Sequence, residues 1–350
     1  MMSALNVQRQ PISMPSHPTP SPARLVDRFG RHIHYARLSV TDRCDFRCVY
    51  CMAEEMEFLP RKEILSLEEL LDVGTALVNA GIDKIRLTGG EPLVRNDIMW
   101  LVERLGALPG LRELTLTTNG SRLAEYAGPL RAAGVRRINI SLDSLQADKF
   151  KQIARTGKLA SVLEGIDAAI DAGFEQIKLN SVILKHRNDD EVPALVEFAL
   201  NKGLDISFIE EMPLGEIVEH DRKLAFYSSD EVRGEIERHF TLESSDKKTN
   251  GPSRYRQIAG SNTHIGFISP HSNNFCEQCN RVRVTVEGRL LLCLGNEHSV
   301  DFRALLRDES LTDQQLLKAF KASLDIKPEK HEFNLDQPVE IVRFMNMTGG

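Results

Sequence analysis

The sequence predicts an α/β fold in which parallel strands are joined by crossover helices. One observation supports this prediction, and a second modifies it. From Ala36 onward, short β-rich runs alternate with segments of helical length, as in repeated βαβ units. Several of these runs are also polar on one face, which buried parallel strands seldom are. The six predicted strands are ARLSV (36–40), KIRLTGG (84–90), ELTLTTN (113–119), INISLD (138–143), IKLNSV (177–182) and ISFIEEM (206–212).

The segments between the strands have the apolar spacing of helices. Ser66 and Glu69 have the spacing of a capping box, so we expect a helix to begin there and to end near Gly81. Similar apolar patterns fill residues 97–107, 121–133, 158–172 and 189–202. The βα unit is therefore expected to repeat through about residue 212.

One face of the predicted strands is polar. On the second strand, Ile85 and Leu87 alternate with Arg86 and Thr88, and side chains on a strand alternate between its faces. A tightly filled eight-stranded barrel would carry Val, Ile and Leu inside, so this face indicates a wider interior that holds a charged ligand. An antiparallel sheet with one solvated face is the alternative, which the helix-length connections disfavour. The other strands carry Thr115, Thr117, Asn139, Ser141, Lys178 and Asn180 on the polar face.

The composition is that of a globular protein without a general nucleic-acid-binding surface. The chain has 350 residues, of which 41% are hydrophobic and 27% charged, and its net charge is −6. No apolar run is long enough to span a bilayer, so we expect a cytoplasmic protein. Residues 1–24 are rich in Pro and Ser and are predicted to be a disordered extension, with an organellar presequence as the weaker alternative. The polar segment 241–260 is predicted to be a mobile surface loop.

Three cysteines lie close together directly after the first predicted strand. Cys44, Cys48 and Cys51 form a C-x-x-x-C-x-x-C motif, in a chain whose sequence shows no secretory signal that would favour disulfides. A structural zinc ion would normally need a fourth protein ligand. An iron–sulfur cubane can instead be held by three thiolates, which leaves its fourth iron open. The motif therefore indicates an iron–sulfur cluster at the strand end where barrel enzymes place their chemistry.

A second group of three cysteines lies far from the first. Cys276 and Cys279 form a C-x-x-C pair, and a predicted hairpin with Glu287-Gly288 at its turn would bring Cys293 back beside them. One interpretation is a second three-cysteine iron–sulfur cluster whose open iron faces a substrate. The other is a structural zinc site, for which the fourth ligand would be His298, His271 or His264.

Several cations are predicted to face the same interior. Arg281 and Arg283 are two positions apart on a predicted strand, so their guanidinium groups point the same way. Two such groups suit a phosphate ligand. Arg86 and Lys178 on the polar face would add to them, which predicts an anion pocket inside an acidic protein.

The first cysteine motif and the sequence LTGGEP after the second strand resemble those of the radical S-adenosylmethionine (SAM) enzymes. In that family the open iron of the cluster binds SAM, and one electron cleaves SAM to a 5′-deoxyadenosyl radical. Ala53 departs from the family, whose members commonly have proline at this position. The resemblance implies that the SAM contacts are Tyr50, Gly90, Ser141 and Met212.

A closer resemblance is to the GTP 3′,8-cyclase family, which begins molybdenum cofactor biosynthesis. It rests on RLSVTDRCDFRCVYCM, LTGGEP, LTTNG, ISLDSL and CEQCNRVR, and covers nearly everything from about Ala36 to Gly350. It implies an incomplete six-stranded parallel α/β barrel at 25–240 and a smaller C-terminal domain at 241–350 with the second cluster. It further implies GTP contacts at Arg37, Arg86, Thr117, Lys178, Arg281, Val282 and Arg283, and a tail, Gly349 and Gly350, that enters the active site.

The same resemblance implies the reaction and the partners. GTP would be cyclised between C3′ and C8 by two 4Fe–4S clusters and SAM. A reductase or flavodoxin-type protein would supply electrons, cyclic pyranopterin monophosphate synthase would take the product, and a homodimer is allowed. No nucleic acid or membrane is expected as a partner. Two other classes stay open: a radical enzyme that modifies a peptide, and a non-catalytic nucleotide-binding scaffold with two zinc sites.

Overall fold

The structure is a computed structural model that describes residues 25–217, 220–308, 310, 312–337, 339 and 341–349. The predicted extension at residues 1–24 and the tail residue Gly350 lie outside the described residues. The strands are β1 Tyr35–Ser39, β2 Lys84–Thr88, β3 Glu113–Thr118, β4 Arg137–Ser141, β5 Gln176–Val182, β6 Asp205–Ile209, β7 Leu242–Ser244, β8 Arg254–Ile258, β9 His264–Ile268, β10 Arg281–Val284, β11 Arg289–Leu291 and β12 Ser299–Asp301.

The twelve strands of the described chain form one mixed sheet. Their order is β12-β11-β10-β1-β2-β3-β4-β5-β6-β9-β8-β7, and β1 to β6 are parallel neighbours in chain order. The C-terminal part of the chain extends both sides, because β10 pairs parallel with β1 and β9 pairs parallel with β6. Antiparallel strands then complete each edge. The parallel pairing rules out the antiparallel alternative, and the sheet is open and larger than six strands.

All six predicted strands are confirmed, and each begins within one residue of its predicted start. Most end earlier than predicted. The Gly-Gly of 89–90 and the acidic residues at 210–211 lie beyond their strands, in loops at the carboxyl edge of the sheet. The predicted hairpin is also confirmed, with β10 and β11 antiparallel around Gly288.

The predicted helices are confirmed as crossovers. Ser66 accepts a hydrogen bond from the backbone N of Glu69, whose carboxylate accepts one from the backbone N of Ser66, so the capping box is formed. Helix α4 was not predicted. The helices are α1 Leu67–Asn79, α2 Ile98–Gly106, α3 Leu123–Ala132, α4 Ala147–Ala154, α5 Leu159–Asp171, α6 Val192–Lys202, α7 Arg222–Ala225, α8 Ser229–Glu237, α9 Phe302–Arg307, α10 Asp313–Ser323 and α11 Met345–Thr348. Single turns of 3-10 helix lie at Arg61–Glu63, Pro92–Val94, Asp189–Glu191, Cys276–Gln278 and Leu324–Ile326.

Side chains on the strands alternate between two faces, one packed in the apolar core and the other facing the interior cavities. Ile85, Leu87 and Leu179 belong to the apolar core that includes buried side chains of the crossover helices. The polar side chains of the same strands line two cavities on the other face. Within the described residues, no helix has the length and apolar character needed to cross a membrane.

The prediction of a mobile surface loop at 241–260 is wrong in two respects. Strands β7 and β8 occupy both ends of this segment, where antiparallel pairing holds the backbone. Between them, Thr249, Gly251 and Pro252 line an interior cavity. The polar composition of the segment reflects contact with a polar cavity as well as with solvent.

Candidate active site

Two adjoining cavities lie on the polar face of the sheet. The first-cysteine cavity lies at the carboxyl ends of the parallel strands, and Cys44, Cys48 and Cys51 line it. The second-cysteine cavity extends toward the amino ends of the same strands, and its lining includes the other three cysteines. Asn180, Ile209 and Met212 line both cavities, so the two spaces meet there. Ligands in the two cavities would therefore be close to each other at this junction.

The first three cysteines are free thiols in a loop held by backbone contacts. The backbone N of Cys51 donates to the carbonyl of Cys48 at 2.9 Å. Burial raises the pKa of all three thiols, and the carboxylates of Glu91 and Asp143 nearby raise it further. Because metal ligation requires the thiolate, positive charge beside the sulfurs would have to stabilise it.

The thiols do not form a single-ion site within the described residues. Among the residues that the structure describes, no group of three or more His, Cys, Asp or Glu side chains could hold one metal ion. In an iron–sulfur cubane each thiolate binds a different iron, so its protein ligands do not converge on a point. Three free thiols around one cavity, repeated in the second cavity, satisfy that requirement.

The four residues predicted to contact SAM line the first-cysteine cavity together: Tyr50, Gly90, Ser141 and Met212. The hydroxyl of Tyr50 donates to Asp143 Oδ2 at 2.7 Å, and burial raises the pKa of Asp143 to about 6. A Cβ on Gly90 would lie 2.3 Å from the carbonyl oxygen of Arg43, so only glycine lets these backbones approach. Sequence reasoning gave Asp143 no role, since its hydrogen bond to Tyr50 joins residues far apart in the chain.

Glu91 holds the turn that carries Gly90. Its carboxylate accepts hydrogen bonds from Thr118 Oγ1 at 2.8 Å and from the backbone N of Asn119 at 2.6 Å. Burial raises the pKa of Glu91 to about 7, although these hydrogen bonds oppose the shift. The fully buried Glu91 thus ties the Gly-Gly turn after β2 to the end of β3, which fixes one wall of the first-cysteine cavity.

The second three cysteines lie beside a buried lysine. Lys327 is 1% exposed, and its Nζ donates to the carbonyl of Arg281 at 3.0 Å and to that of Leu292. Burial would raise the pKa of Cys279, but Lys327 and Arg281 lower it to about 7. Burial raises the pKa of Cys276 and Cys293.

The zinc interpretation of the second group lacks its fourth ligand in the described residues. His264 Nδ1 lies 3.4 Å from Asp205 Oδ1, and His271 Nε2 lies 2.8 Å from the carbonyl of Glu211. His298 is exposed, on the loop before β12. None of these histidines belongs to a group of described residues that could hold a single ion with the cysteines.

The predicted cations converge on the second-cysteine cavity. Arg37, Arg86, Lys178, Arg281 and Arg283 all line it, as does Val282. Register places them together, because Arg37 pairs with both Arg86 and Arg283 on neighbouring strands. Burial lowers the pKa of Arg37 to about 10 and also lowers that of Lys178. Buried cations in such proximity favour a multivalent anion as ligand.

Two of the cations differ in how they are held. Arg86 Nε donates to the hydroxyl of Tyr35 at 2.9 Å, and its Nη1 donates to Thr117 Oγ1 at 3.3 Å. The predicted GTP contact Thr117 itself lines the first-cysteine cavity. Arg37 Nε is buried and has no hydrogen-bond partner among the described atoms, so it can donate to a ligand.

Sequence reasoning missed two residues of the same wall, Lys84 and Tyr35. Lys84 lies two positions before Arg86 on β2, which was the available signal, and its Nζ lies 2.7 Å from Glu113 Oε2. Tyr35 is buried. Burial would raise the pKa of its phenol, but Arg86, Arg37 and Lys84 lower it to about 7.

The described tail lies between the first cysteine loop and β10. Asn346 Nδ2 donates to the carbonyl of Asp42 at 2.8 Å, and Arg283 Nη1 donates to the carbonyls of Thr348, at 3.3 Å, and Gly349. Gly349 has a φ of 70°, and a Cβ there would lie 2.0 Å from Thr88 Oγ1. A glycine is therefore required where the tail reaches the wall of the first-cysteine cavity.

Comparison with known families divides the chain near residue 200. The radical SAM superfamily model matches residues 38–199, and the model described as Molybdenum Cofactor Synthesis C matches residues 204–333. Among solved structures, Streptococcus suis SuiB bound to S-adenosylmethionine has a TM-score of 0.55 at 14% identity, over 87% of this chain and 77% of that one. That likeness concerns the fold alone.

Full-length relatives are much more similar. The GTP 3′,8-cyclase of Marinobacter nauticus is 61% identical over 327 residues, which cover 93% of this chain and 99% of the relative. The enzymes of the same name from Pseudomonas putida and Saccharophagus degradans are 61% and 57% identical, each over 93% of this chain and 98% of the relative. The chain therefore belongs to the GTP 3′,8-cyclase family of the radical SAM superfamily.

Proposed function

We propose that this protein converts GTP to (8S)-3′,8-cyclo-7,8-dihydroguanosine 5′-triphosphate, the first step of molybdenum cofactor biosynthesis. The observation that carries the proposal is the junction between a thiol-lined cavity and a cation-lined cavity at Asn180, Ile209 and Met212. Radical chemistry on a polyanion needs both spaces, in contact and closed from solvent. The relatives at about 60% identity bear the name of the same reaction.

The cysteines would hold two 4Fe–4S clusters, one in each cavity. When bound with SAM, the first cluster would supply one-electron chemistry that takes the C3′ hydrogen of GTP so that C3′ can bond to C8, and a second electron from the reductant with a proton would complete the product. Tyr50, Gly90, Ser141 and Met212 would contact SAM, as their shared position on one cavity supports.

The cations of the second-cysteine cavity would hold the triphosphate. Arg37 is suited to direct contact, since its buried Nε has no hydrogen-bond partner among the described atoms. Lys178 lines the same cavity, with its Nζ 5.9 Å from the centroid of the Tyr255 ring. Arg86 and Arg283 are anchored to Thr117 and to the tail, so they would position the nucleotide while keeping the cavity walls together. Arg281 and Val282 would complete this wall, and the tail with Gly349 and Gly350 would be the one that enters the active site in the family.

The finer architecture and the partners belong to the same proposal. We infer that residues 25–240 form an incomplete barrel around β1 to β6, and that residues 241–350 form a smaller C-terminal domain whose strands extend the sheet. A reductase or flavodoxin-type protein would reduce the first cluster, and cyclic pyranopterin monophosphate synthase would receive the product. A cytoplasmic protein, with a homodimer allowed, is the corresponding expectation.

An anaerobic assay tests the function. The iron-reconstituted protein is incubated with GTP, SAM and a strong reductant, and 5′-deoxyadenosine and the cyclised nucleotide are followed by mass spectrometry. We expect both products in equal amounts. If 5′-deoxyadenosine forms equally without GTP, the substrate is wrong, and if neither product forms from protein with a full iron complement, the function is wrong.

A further inference from the structure

The lining of the second-cysteine cavity falls into two groups. Arg37, Arg86 and Lys178 supply positive charge on the central strands. Near Cys276 the lining is mainly aromatic and apolar, with Phe275, Leu292, His331 and Phe333, and Arg281 lies over the ring of Phe275. If the cations hold a triphosphate, the flat aromatic part is the part of the cavity that suits a purine base.

His331 is a neighbour of the second cysteine set. Its backbone N donates to Cys276 Sγ at 3.4 Å. Its ring lies 4.5 Å from the ring of Phe333 and 6.2 Å from that of Phe275, between centroids. These contacts fix the imidazole in the aromatic part of the lining, while the hydrogen bond to sulfur uses only the backbone.

One imidazole nitrogen of His331 has a hydrogen-bond partner among the described atoms, and the other has none. The backbone N of Phe333 donates to His331 Nδ1 at 3.4 Å, so Nδ1 is the acceptor and the ring hydrogen is on Nε2. Nε2 is buried and has no hydrogen-bond partner among the described atoms. A protonated imidazole would also donate from Nε2, so the donor role does not depend on the charge state. Buried donors without a partner are rare because they destabilise the fold, unless a ligand completes them.

We propose that His331 Nε2 donates a hydrogen bond to the oxygen on C6 of the purine base and thereby selects 6-oxo purine nucleotides over 6-amino purine nucleotides. This inference rests on the proposed function, because it requires a nucleotide in the second-cysteine cavity. The amino group on C6 of adenine is itself a donor and would face the donor of His331. The phosphate contacts cannot make this distinction, because they are the same for every nucleoside triphosphate.

The first test uses unmodified protein and four nucleotides. Equilibrium binding of GTP, ITP, ATP and 2,6-diaminopurine riboside triphosphate to the iron-reconstituted protein is measured without oxygen. ITP shares only the 6-oxo group of GTP, and the diaminopurine nucleotide shares only its 2-amino group. We expect ITP to bind within about 3-fold of GTP, and both 6-amino nucleotides to bind roughly 30-fold more weakly. Tight binding of the diaminopurine nucleotide would overturn the proposal.

The second test changes the donor. His331→Phe keeps a ring beside Phe333 and the backbone N on Cys276, so the absorption spectrum of the iron–sulfur clusters should be retained. We expect this variant to lose roughly 10-fold or more of the preference for GTP over ATP, and His331→Gln, which keeps a side-chain N–H, to restore part of it. His298→Phe, an exposed histidine of the same region, is the control and should keep the preference.

The outcomes separate the two proposals. Wild-type protein that binds none of the four triphosphates would overturn the proposed function and this inference with it. Wild-type protein that cyclises GTP while His331→Phe keeps the full preference for GTP over ATP would overturn the inference alone. A His331→Phe variant whose affinity falls equally for all four nucleotides would also overturn the inference, because a general structural role for His331 would then explain the loss.

Discussion

The two cysteine groups have the same ligand number and opposite electrostatic surroundings. Around the first, the carboxylates of Glu91 and Asp143 add to burial and raise the thiol pKa. Around the second, Lys327 and Arg281 lower the pKa of Cys279 to about 7 in spite of burial. The contrast follows the charge of the proposed ligands, because SAM carries a sulfonium cation and GTP a polyanion. The two cysteine groups thus differ in the residues around them and not in the number of cysteines.

Cysteine variants are expected to have the largest effects, and they test whether the first group serves SAM cleavage and the second serves the nucleotide. Cys48→Ala should abolish formation of both 5′-deoxyadenosine and the cyclised nucleotide, because it removes a ligand of the proposed SAM-binding cluster. Cys293→Ala should abolish the cyclised nucleotide but retain 5′-deoxyadenosine formation. Mass spectrometry of both products and an iron count check this, and each variant should lose up to half of the iron. Identical product profiles for the two variants would refute the separation of roles.

Removing a cation should weaken nucleotide binding without affecting SAM. Arg37→Met is expected to weaken GTP binding roughly 10- to 100-fold, because a charge-assisted hydrogen bond contributes about 1.5–3 kcal/mol. Arg112→Met is the matched control, since Arg112 is largely exposed and pairs with Asp83 outside both cavities. Calorimetry with GTP and with SAM checks the result. If the Arg37→Met protein binds GTP with wild-type affinity, Arg37 does not contact the phosphates.

The C-terminal tail contacts the walls of both cavities through Gly349. Adding one methyl group to Gly349 tests whether this contact matters. Gly349→Ala should lower the rate of cyclisation about 10-fold, because the new Cβ would clash with Thr88 in a backbone region that already disfavours alanine. Gly173→Ala has a nearly identical φ of 71° but nothing within 4 Å of the new Cβ, so it reports the effect of alanine at a positive φ without the contact. Thermal unfolding and product formation are compared for both variants. Equal rates would show that the contact with Thr88 is unimportant.

The smallest expected effect is on thiol reactivity. In iron-free protein, the rate of Cys279 alkylation should rise with pH through a midpoint near 7, because the thiolate is the reactive form and the pKa of Cys279 is about 7. Lys327→Met should move the midpoint upward by about one pH unit. Lys330→Met, an exposed lysine nearby, should leave it unchanged. Peptide mapping of the alkylated protein measures each cysteine, and an unmoved midpoint in Lys327→Met would show that Lys327 does not control it.

Local features of this fold could be predicted from the sequence. The capping box at Ser66, the hairpin around Gly288 and the polar face with Arg86 and Lys178 each follow from residues close together in the chain. The six cysteines and most of the cations of the site were found in the same way, because ligand spacing and strand alternation are local patterns.

The remaining features depend on contacts between distant segments. Lys327 and His331 have no local motif, and their roles follow only from packing beside Cys276 and Cys279. The polar composition of segment 241–260 predicts a surface loop, although the segment borders an interior cavity. A polar segment next to a polar cavity and a polar segment next to water look the same in a sequence.

The parallel pairing of β10 with β1 has a consequence for biosynthesis. Tyr35 on β1 pairs with Arg281 on β10. During synthesis, one edge of β1 therefore remains unpaired until the ribosome has made β10, about 245 residues later. Until then the edge of β1 is an unpaired template, which is a hazard for aggregation. Cys293 follows β10 in the chain, so a cluster held by the second three cysteines would form only after β10 has been synthesised. We therefore expect chaperone dependence and cluster insertion to be coupled to the release of the completed chain.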